Sequence, residues 1–155
     1  MRLALYQPDI AQNTGTMLRL CACFGVPVDV IGPTGFDMSD RALKRSALDY
    51  LSHVDLSRHL SFETFMEQRS NPAHQGRLVL LTTRARQSYC DFAFAPDDTL
   101  LLGRESAGVP DSVHERVHAR ITIPMRPSLR SLNVAVAAAM VLGEALRQTD
   151  GFPHL

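Results

Sequence analysis

The segment from Ala119 to Met140 constrains the fold of this 155-residue chain more than any other part of the sequence. Its β-branched and apolar residues at 121–123 predict a strand. Pro124 and Pro127 follow directly, and proline cannot donate the backbone hydrogen bonds that a strand needs. The segment therefore predicts a strand that ends in a stiff loop.

A helix is expected next, from Leu132 to about Gln148, with Ser131 as its N-cap. Its first two turns are almost entirely apolar, so the helix must be covered by its own domain, by a second subunit, or by both. The preceding loop offers backbone N–H groups, Arg126, Arg130 and a helix N-terminus. These groups would suit an anionic or carboxylate-bearing ligand.

Short apolar runs alternate with helical patterns along the whole chain, which favours a single α/β domain over residues 1–155 with a mainly parallel sheet and flanking helices. Asn13 is expected to cap the first helix, and Ser61 a later one that ends near Gln68. A further short strand is expected around Val54. The clearest predicted strands are Leu3–Tyr6, Val28–Ile31, Leu78–Leu81 and Thr99–Leu102.

Ligands of such sheets bind outside the carboxyl ends of the strands. Three loops are predicted there, at residues 82–86, 103–109 and 124–131. Gly103 and Gly108 indicate either a close backbone approach or a positive φ, or simply an ordinary turn. Glu105, between them, could accept hydrogen bonds from a polar ligand.

The chain carries 16 basic and 16 acidic residues, which excludes a globally basic nucleic-acid binder but not a local basic patch. It lacks a membrane-spanning apolar run and the apolar core of a signal peptide, so we expect a cytoplasmic protein. The phosphate-binding motif G-x-x-x-x-G-K-[ST] and the dinucleotide motif G-x-G-x-x-G after the first strand are also lacking.

Residues 114–118 match the zinc motif H-E-x-x-H, with His114 and His118 as ligands and Glu115 as general base. The pattern allows a zinc metallohydrolase as an alternative. Pro110 begins this helix and a strand follows almost at once, so His118 would lie at a helix end. We therefore interpret both histidines as solvent-facing groups near the helix C-terminus.

Arg19 is the lone charge on the first helix, and such an arginine usually needs a partner. A later helical turn places three cations on roughly one side. Each of these residues could bind a phosphate, although a cap or an exposed charge explains each one separately. The phosphate candidates are Asn13, Arg19, Arg41, Lys44 and Arg45.

Three groups of residues recur in a fixed order and spacing: N-T-G at 13–15 with Arg19, L-G-R-E at 102–105 with Gly108 and Pro110, and I-P-M at 123–125 with S-L-N at 131–133. Together they resemble the three motifs of the SPOUT RNA methyltransferases, and within them the small, single-domain tRNA (cytidine/uridine-34)-2′-O-methyltransferases. Gly35–Tyr50 is also similar to that subgroup, so the resemblance covers essentially the whole chain. Arg104 departs from it, since a proline is frequent there.

The resemblance implies a C-terminal deep trefoil knot, a homodimer, and transfer of a methyl group from S-adenosylmethionine to the ribose 2′-oxygen of the wobble nucleotide of tRNA, without a metal. Arg19 is then the catalytic candidate, and the RNA partner is the anticodon stem-loop. A non-catalytic RNA-binding domain is the second alternative. The implied cofactor contacts are Leu81, Thr82, Gly103, Glu105, Ile123, Met125, Ser131 and Asn133, and the implied RNA contacts are Asn13, Arg41, Lys44, Arg45 and Arg130.

Overall fold

A computed structural model describes residues 1–39, 41–71 and 76–154. The sequence alternates between strands and helices as expected, with a 3-10 turn at 48–52 and another at 89–91. The strands are β1 (Arg2–Tyr6), β2 (Val28–Ile31), β3 (Leu56–His59), β4 (Leu78–Leu81), β5 (Gln87–Ser88), β6 (Thr99–Leu102) and β7 (Ala119–Thr122), and the helices are α1 (Ala11–Phe24), α2 (Arg41–Ala47), α3 (Phe62–Arg69), α4 (Asp111–His114) and α5 (Val134–Gln148).

The seven strands form one sheet in the order β3-β2-β1-β6-β4-β7-β5. Every pair of neighbours is parallel; Leu3, for example, lies opposite both Val28 and Leu100. The predicted parallel α/β sheet is therefore confirmed. The trefoil knot implied by the resemblance stays a prediction.

Side chains alternate between the two faces of the sheet along each strand, and helices cover both faces. Leu3, Leu5 and Leu100 pack on the side of α1, α2 and α5, whereas Leu78 and Leu80 pack on the side of α3 and α4. Each such leucine contributes roughly 1.5–3 kcal/mol by its burial. This double covering explains why residues 3–6 of β1, 78–81 of β4 and 100–102 of β6 are apolar runs and not alternating patterns.

Helix α5 is only partly covered by its own chain. Ala138, Val141 and Leu142 are fully buried, but Val136 and Met140 remain 51% and 40% exposed. The helix is apolar nearly all round, as the sequence predicted, and its own chain leaves an apolar stripe at Val136 and Met140 exposed. No helix in the described ranges has the length and hydropathy needed to cross a membrane.

Three local predictions were wrong. Helix α1 begins at Ala11, so Asn13 lies inside its first turn and the N-cap is Ile10, without a side-chain bond. Asn133, not Ser131, caps α5. The strand expected around Val54 lies later, at Leu56–His59. The Ser61 cap is confirmed, since its hydroxyl accepts a hydrogen bond from the Thr64 N–H.

Candidate active site

A cleft of about 590 Å³ lies where the carboxyl ends of β4, β6 and β7 meet. Its walls are the loops that follow these strands, together with the beginnings of α1 and α5. The three loops predicted from the sequence therefore converge on one site. All eight residues implied as cofactor contacts line it: Leu81, Thr82, Gly103, Glu105, Ile123, Met125, Ser131 and Asn133.

The loop after β6 turns back on itself so tightly that only glycine fits at its start. A Cβ at Gly103 would lie 2.7 Å from the Cα and the carbonyl carbon of Gly108. Arg104 and Gly108 exchange two backbone hydrogen bonds of 3.1 and 2.9 Å, and Gly108 has the positive φ of 65° that the sequence indicated. The absence of a side chain at Gly103 thus lets the two ends of the loop pack against each other, and this contact fixes the shape of the cleft wall.

A chain of side-chain hydrogen bonds joins three walls of the cleft. The Asn133 Nδ2 donates to Asn13 Oδ1 over 3.0 Å, and the Asn13 Nδ2 donates to Glu105 Oε1 over 3.2 Å. The other Glu105 oxygen accepts the backbone N–H of Asp9 at 3.0 Å. Asn133 also caps α5, because its Oδ1 accepts from the N–H groups of Ala135 and Val136. We call this chain the Asn133–Asn13–Glu105 relay.

The relay ends at a pair of carboxyl groups. The hydrogen bond with the Glu105 carboxyl lowers the pKa of Asp9 to about 2, and burial raises the pKa of Glu105. Asp9 also accepts from the backbone N–H of Glu105 and from the Ser106 hydroxyl, and the Arg104 Nε lies 3.6 Å from its Oδ2. Asp9 therefore stays ionised at neutral pH and accepts these hydrogen bonds as a carboxylate.

The histidine geometry does not support the zinc alternative. Helix α4 ends at His114, so His118 lies beyond it, and its Nδ1 accepts the backbone N–H of Leu78 at 2.9 Å. His114 is buried and lines the cleft, so the interpretation of it as solvent-facing was wrong. Burial lowers its pKa. In the ranges that the structure describes, no three potential metal ligands lie close enough to share an ion.

The proposed catalytic and RNA-contacting cations lie outside the cleft. Arg19 is exposed on α1, and its guanidinium lies over the ring of Tyr50, 5.1 Å from the centroid. Arg41, Lys44, Arg45 and Arg130 are also exposed. Asn13 is placed apart from them, in the cleft wall, where both ends of its amide are hydrogen bonded.

Sequence reasoning missed His114, which lines the cleft, and Asp9, which is hydrogen bonded to Glu105 of the cleft wall. Asp9 follows Pro8 directly after β1 and resembled an ordinary turn residue, and His114 was assigned to the surface. The position of Asp9 directly after β1 was a usable signal, because ligands gather at the carboxyl ends of strands. The pairing of β1 with β6, which brings Asp9 to Glu105, was visible only in the structure. No signal in the sequence indicated that His114 faces inward.

A parallel sheet whose cleft lies outside the carboxyl ends of its central strands defines the class of α/β proteins that hold a small ligand between loops. A family model described as the SpoU rRNA Methylase family matches residues 1–143, and the chain belongs to this family. The family predicted from the sequence motifs is thereby confirmed.

Two similar proteins have names or descriptions that refer to 2′-O-methylation at position 34 of tRNA. A tRNA (cytidine(34)-2'-O)-methyltransferase of Beijerinckia indica subsp. indica is 63% identical over 146 residues, which cover 94% of this chain and 90% of that protein. A solved structure described as "Structural insights into the 2-OH methylation of C/U34 on tRNA" superposes with a TM-score of 0.88 at 42% identity, over 95% of this chain and 94% of that one.

A more distant structure is informative about the ligand. The SpoU methyltransferase AviRb from Streptomyces viridochromogenes, in complex with the cofactor AdoMet, has a TM-score of 0.87 at 28% identity. The match covers 96% of this chain and 60% of that chain. A protein of the same fold thus holds S-adenosylmethionine.

Proposed function

We propose that this chain transfers a methyl group from S-adenosylmethionine to the ribose 2′-oxygen of the wobble nucleotide of tRNA, a cytidine or modified uridine at position 34. The observation that carries this proposal is the convergence of all eight motif-derived residues on one cleft at the carboxyl ends of β4, β6 and β7. The names of the similar proteins support the choice of substrate.

The lining of the cleft fits the proposed methyl donor. Its volume of about 590 Å³ lies within the range of roughly 300–1,000 Å³ that is usual for small-ligand sites. Leu81, Ile123 and Met125 offer apolar surface for a purine ring, while the Ser131 hydroxyl and the loop backbone offer hydrogen bonds to ribose and amino-acid groups. Bound S-adenosylmethionine supplies an electrophilic methyl group.

The residues of this chain must then orient and activate a ribose hydroxyl, which is a weak nucleophile. We assign this role to Arg19 as a charge-assisted donor to the RNA phosphate and to the developing alkoxide. Arginine is not deprotonated in proteins, so it does not act as the base. Much of the acceleration comes from proximity of the hydroxyl to the methyl group.

Arg19 belongs to an exposed stripe of α1 and does not line the cleft of its own chain. We propose a homodimer that places α1 beside the open apolar stripe of α5 around Val136 and Met140 and leaves the Arg19 guanidinium accessible to RNA. In that dimer, Arg19 of one protomer serves the cleft of the partner. The test mixes an Arg19→Ala protomer with a Gly103→Ala protomer; activity that appears only on mixing supports action across the dimer, and its absence counts against it.

The remaining cations would bind tRNA phosphates. Helix α2, which packs against α1, contains Arg41, Lys44 and Arg45. Arg130 lies in the loop after β7. The exposed positive charge on α2 and beside Ser131 of the cleft wall supports binding of an anticodon stem-loop through its phosphates. We further propose that residues 1–155 act as one methyltransferase domain in the cytoplasm, where tRNA is modified.

The experiment supplies labelled S-adenosylmethionine and a tRNA transcript, and maps the methylated nucleotide. The wild type is expected to methylate position 34, and a transcript with 2′-deoxycytidine there, which lacks the acceptor oxygen, is the matched control. We expect Arg19→Ala to retain cofactor affinity but to lose most turnover. Cofactor-independent RNA binding without methyl transfer would favour the non-catalytic alternative, and loss of activity on metal chelation would contradict the metal-free mechanism.

A further inference from the structure

Within the described part of the chain, the Arg19 guanidinium stacks on one aromatic ring. It lies over the Tyr50 ring at 5.1 Å and takes part in no hydrogen bond or ion pair among those residues. A stacked aromatic ring engages only the face of a guanidinium. All five N–H donors, which point outward in the plane of the group, therefore stay available to a substrate.

A carboxylate partner would behave differently. It would take up two of the N–H donors and offset the charge that the reaction needs. The Tyr50 ring orients Arg19 without occupying its N–H donors and without offsetting its positive charge.

The position of Tyr50 is set by close packing of the helix before it. A Cβ at Gly15 of α1 would lie 2.6 Å from both the Leu43 carbonyl oxygen and the Ser46 Cβ of α2. The two helices are therefore in near-backbone contact, and Leu43 is fully buried between them. Tyr50 follows α2 directly, in the 3-10 turn Leu48–Ser52, so α2 carries the ring to its place beneath Arg19.

We propose that Tyr50 is a positioning residue that holds the Arg19 guanidinium in its reactive orientation. The inference rests on the proposed function. Because Arg41, Lys44 and Arg45 belong to the same helix that fixes Tyr50, the phosphate-binding surface and the orientation of Arg19 are joined in one packed unit. An RNA backbone seated on α2 thereby meets an arginine that is already aligned.

The test is a double-mutant cycle on single-turnover methylation, with saturating tRNA and S-adenosylmethionine. Tyr50→Leu removes the ring, Tyr50→Phe keeps it as the matched control, and both are also made in the Arg19→Ala background. A cation–π contact at an exposed site corresponds to about a 2- to 5-fold change in the oriented population. We expect Tyr50→Leu to lower the rate by about that factor, Tyr50→Phe to stay near the wild type, and Tyr50→Leu to have no further effect once Arg19 is absent.

A merely structural role gives another pattern. Tyr50→Leu would then lower the rate by the same factor with or without Arg19, and this result overturns the inference, as does an unchanged rate in Tyr50→Leu. Tyr50→Met repeats the ring removal with an unbranched side chain in case the leucine variant does not fold. A wild-type enzyme that methylates no tRNA would overturn the proposed function itself, whereas an active wild type with an additive cycle overturns the role of Tyr50 alone.

Discussion

The Asn133–Asn13–Glu105 relay allows the two roles of Asn133 to be separated by two substitutions. Asn133→Ser keeps an oxygen that can cap α5 but is too short to reach Asn13, and Asn133→Ala loses both the cap and the bond. An N-cap contributes about 1 kcal/mol. The bond to Asn13 contributes about 0.5–1 kcal/mol, near the lower end for a hydrogen bond, because Asn133 is exposed to solvent.

These values predict a graded loss of stability. Since 1 kcal/mol shifts the Tm of a chain of this size by about 2–4 °C, Asn133→Ser should lower the Tm by about 1–4 °C and Asn133→Ala by about 3–8 °C. Thermal unfolding followed by circular dichroism measures both. Calorimetry should show S-adenosylmethionine binding weakened by about 2- to 5-fold in Asn133→Ser, because one wall of the cleft is released from another.

The decisive measurement is the combination with Asn13→Ala. If the relay connects these side chains, Asn133→Ser costs less in the Asn13→Ala background than in the wild type, by the value of the shared bond. Strictly additive losses, or a serine variant that binds the cofactor as tightly as the wild type, would refute the reasoning.

Three further predictions concern other parts of the site. Gly103→Ala should cost about 1–3 kcal/mol through overpacking against Gly108 and should abolish cofactor binding while the far-ultraviolet spectrum is retained; tight binding by this variant would contradict the proposed wall. The folded-state pKa of His114 lies below its unfolded value of 6.5, so the stability that the neutral side chain contributes is complete above about pH 7 and is lost as the pH falls below 6.5. The free energy of unfolding should therefore depend less on pH between 5 and 7 in His114→Gln than in the wild type. An unaltered pH profile would argue against a buried, neutral His114. If Arg19 and the four other proposed cations (Arg41, Lys44, Arg45 and Arg130) contact phosphates, the affinity for tRNA should fall with salt with a log–log slope of about −4. A flat dependence measured by filter binding would exclude these contacts.

The strands were predictable because burial on both faces leaves a direct trace in the sequence. Residues 3–6 and Leu78–Leu81 are continuous apolar runs, and continuous runs of this length are typical of buried parallel strands. Strand β5, at Gln87–Ser88, leaves no such trace. It has two residues, both polar, and only its pairing with β7 creates it.

Helix starts were harder to predict, because several residue types can cap a helix. Ser131 and Asn133 are both good N-caps by type. The structure uses Asn133, whose side-chain Oδ1 caps the helix while its Nδ2 donates to Asn13. Asn13 resembled a cap for the same chemical reason, but it lies a turn later, where its amide can reach Glu105. Long-range contacts decided both cases, and a local pattern does not record them.

The cleft was predicted in its residues but not in its internal chemistry. The carboxyl-end rule led to the three loops, and the resemblance to the methyltransferase motifs implied Gly103, Ile123 and Ser131 as cofactor contacts. The pairing of Asp9 with Glu105 depends on β1 lying beside β6 in the sheet, and this neighbour relation cannot be read from residues that lie so far apart in the chain.

That same neighbour relation has a consequence for the timing of folding during synthesis. Strand β1 is made first, yet one of its two partners, β6, emerges from the ribosome only after Thr99, and the last wall of the cleft only with Asn133. Contacts between such distant segments make folding slow, and a nascent chain exposes one edge of β1 until β6 arrives. The chain must therefore be synthesised as far as α5 before the cleft exists, and a chain that stops short of α5 would leave one face of the sheet uncovered and lack a wall of the site.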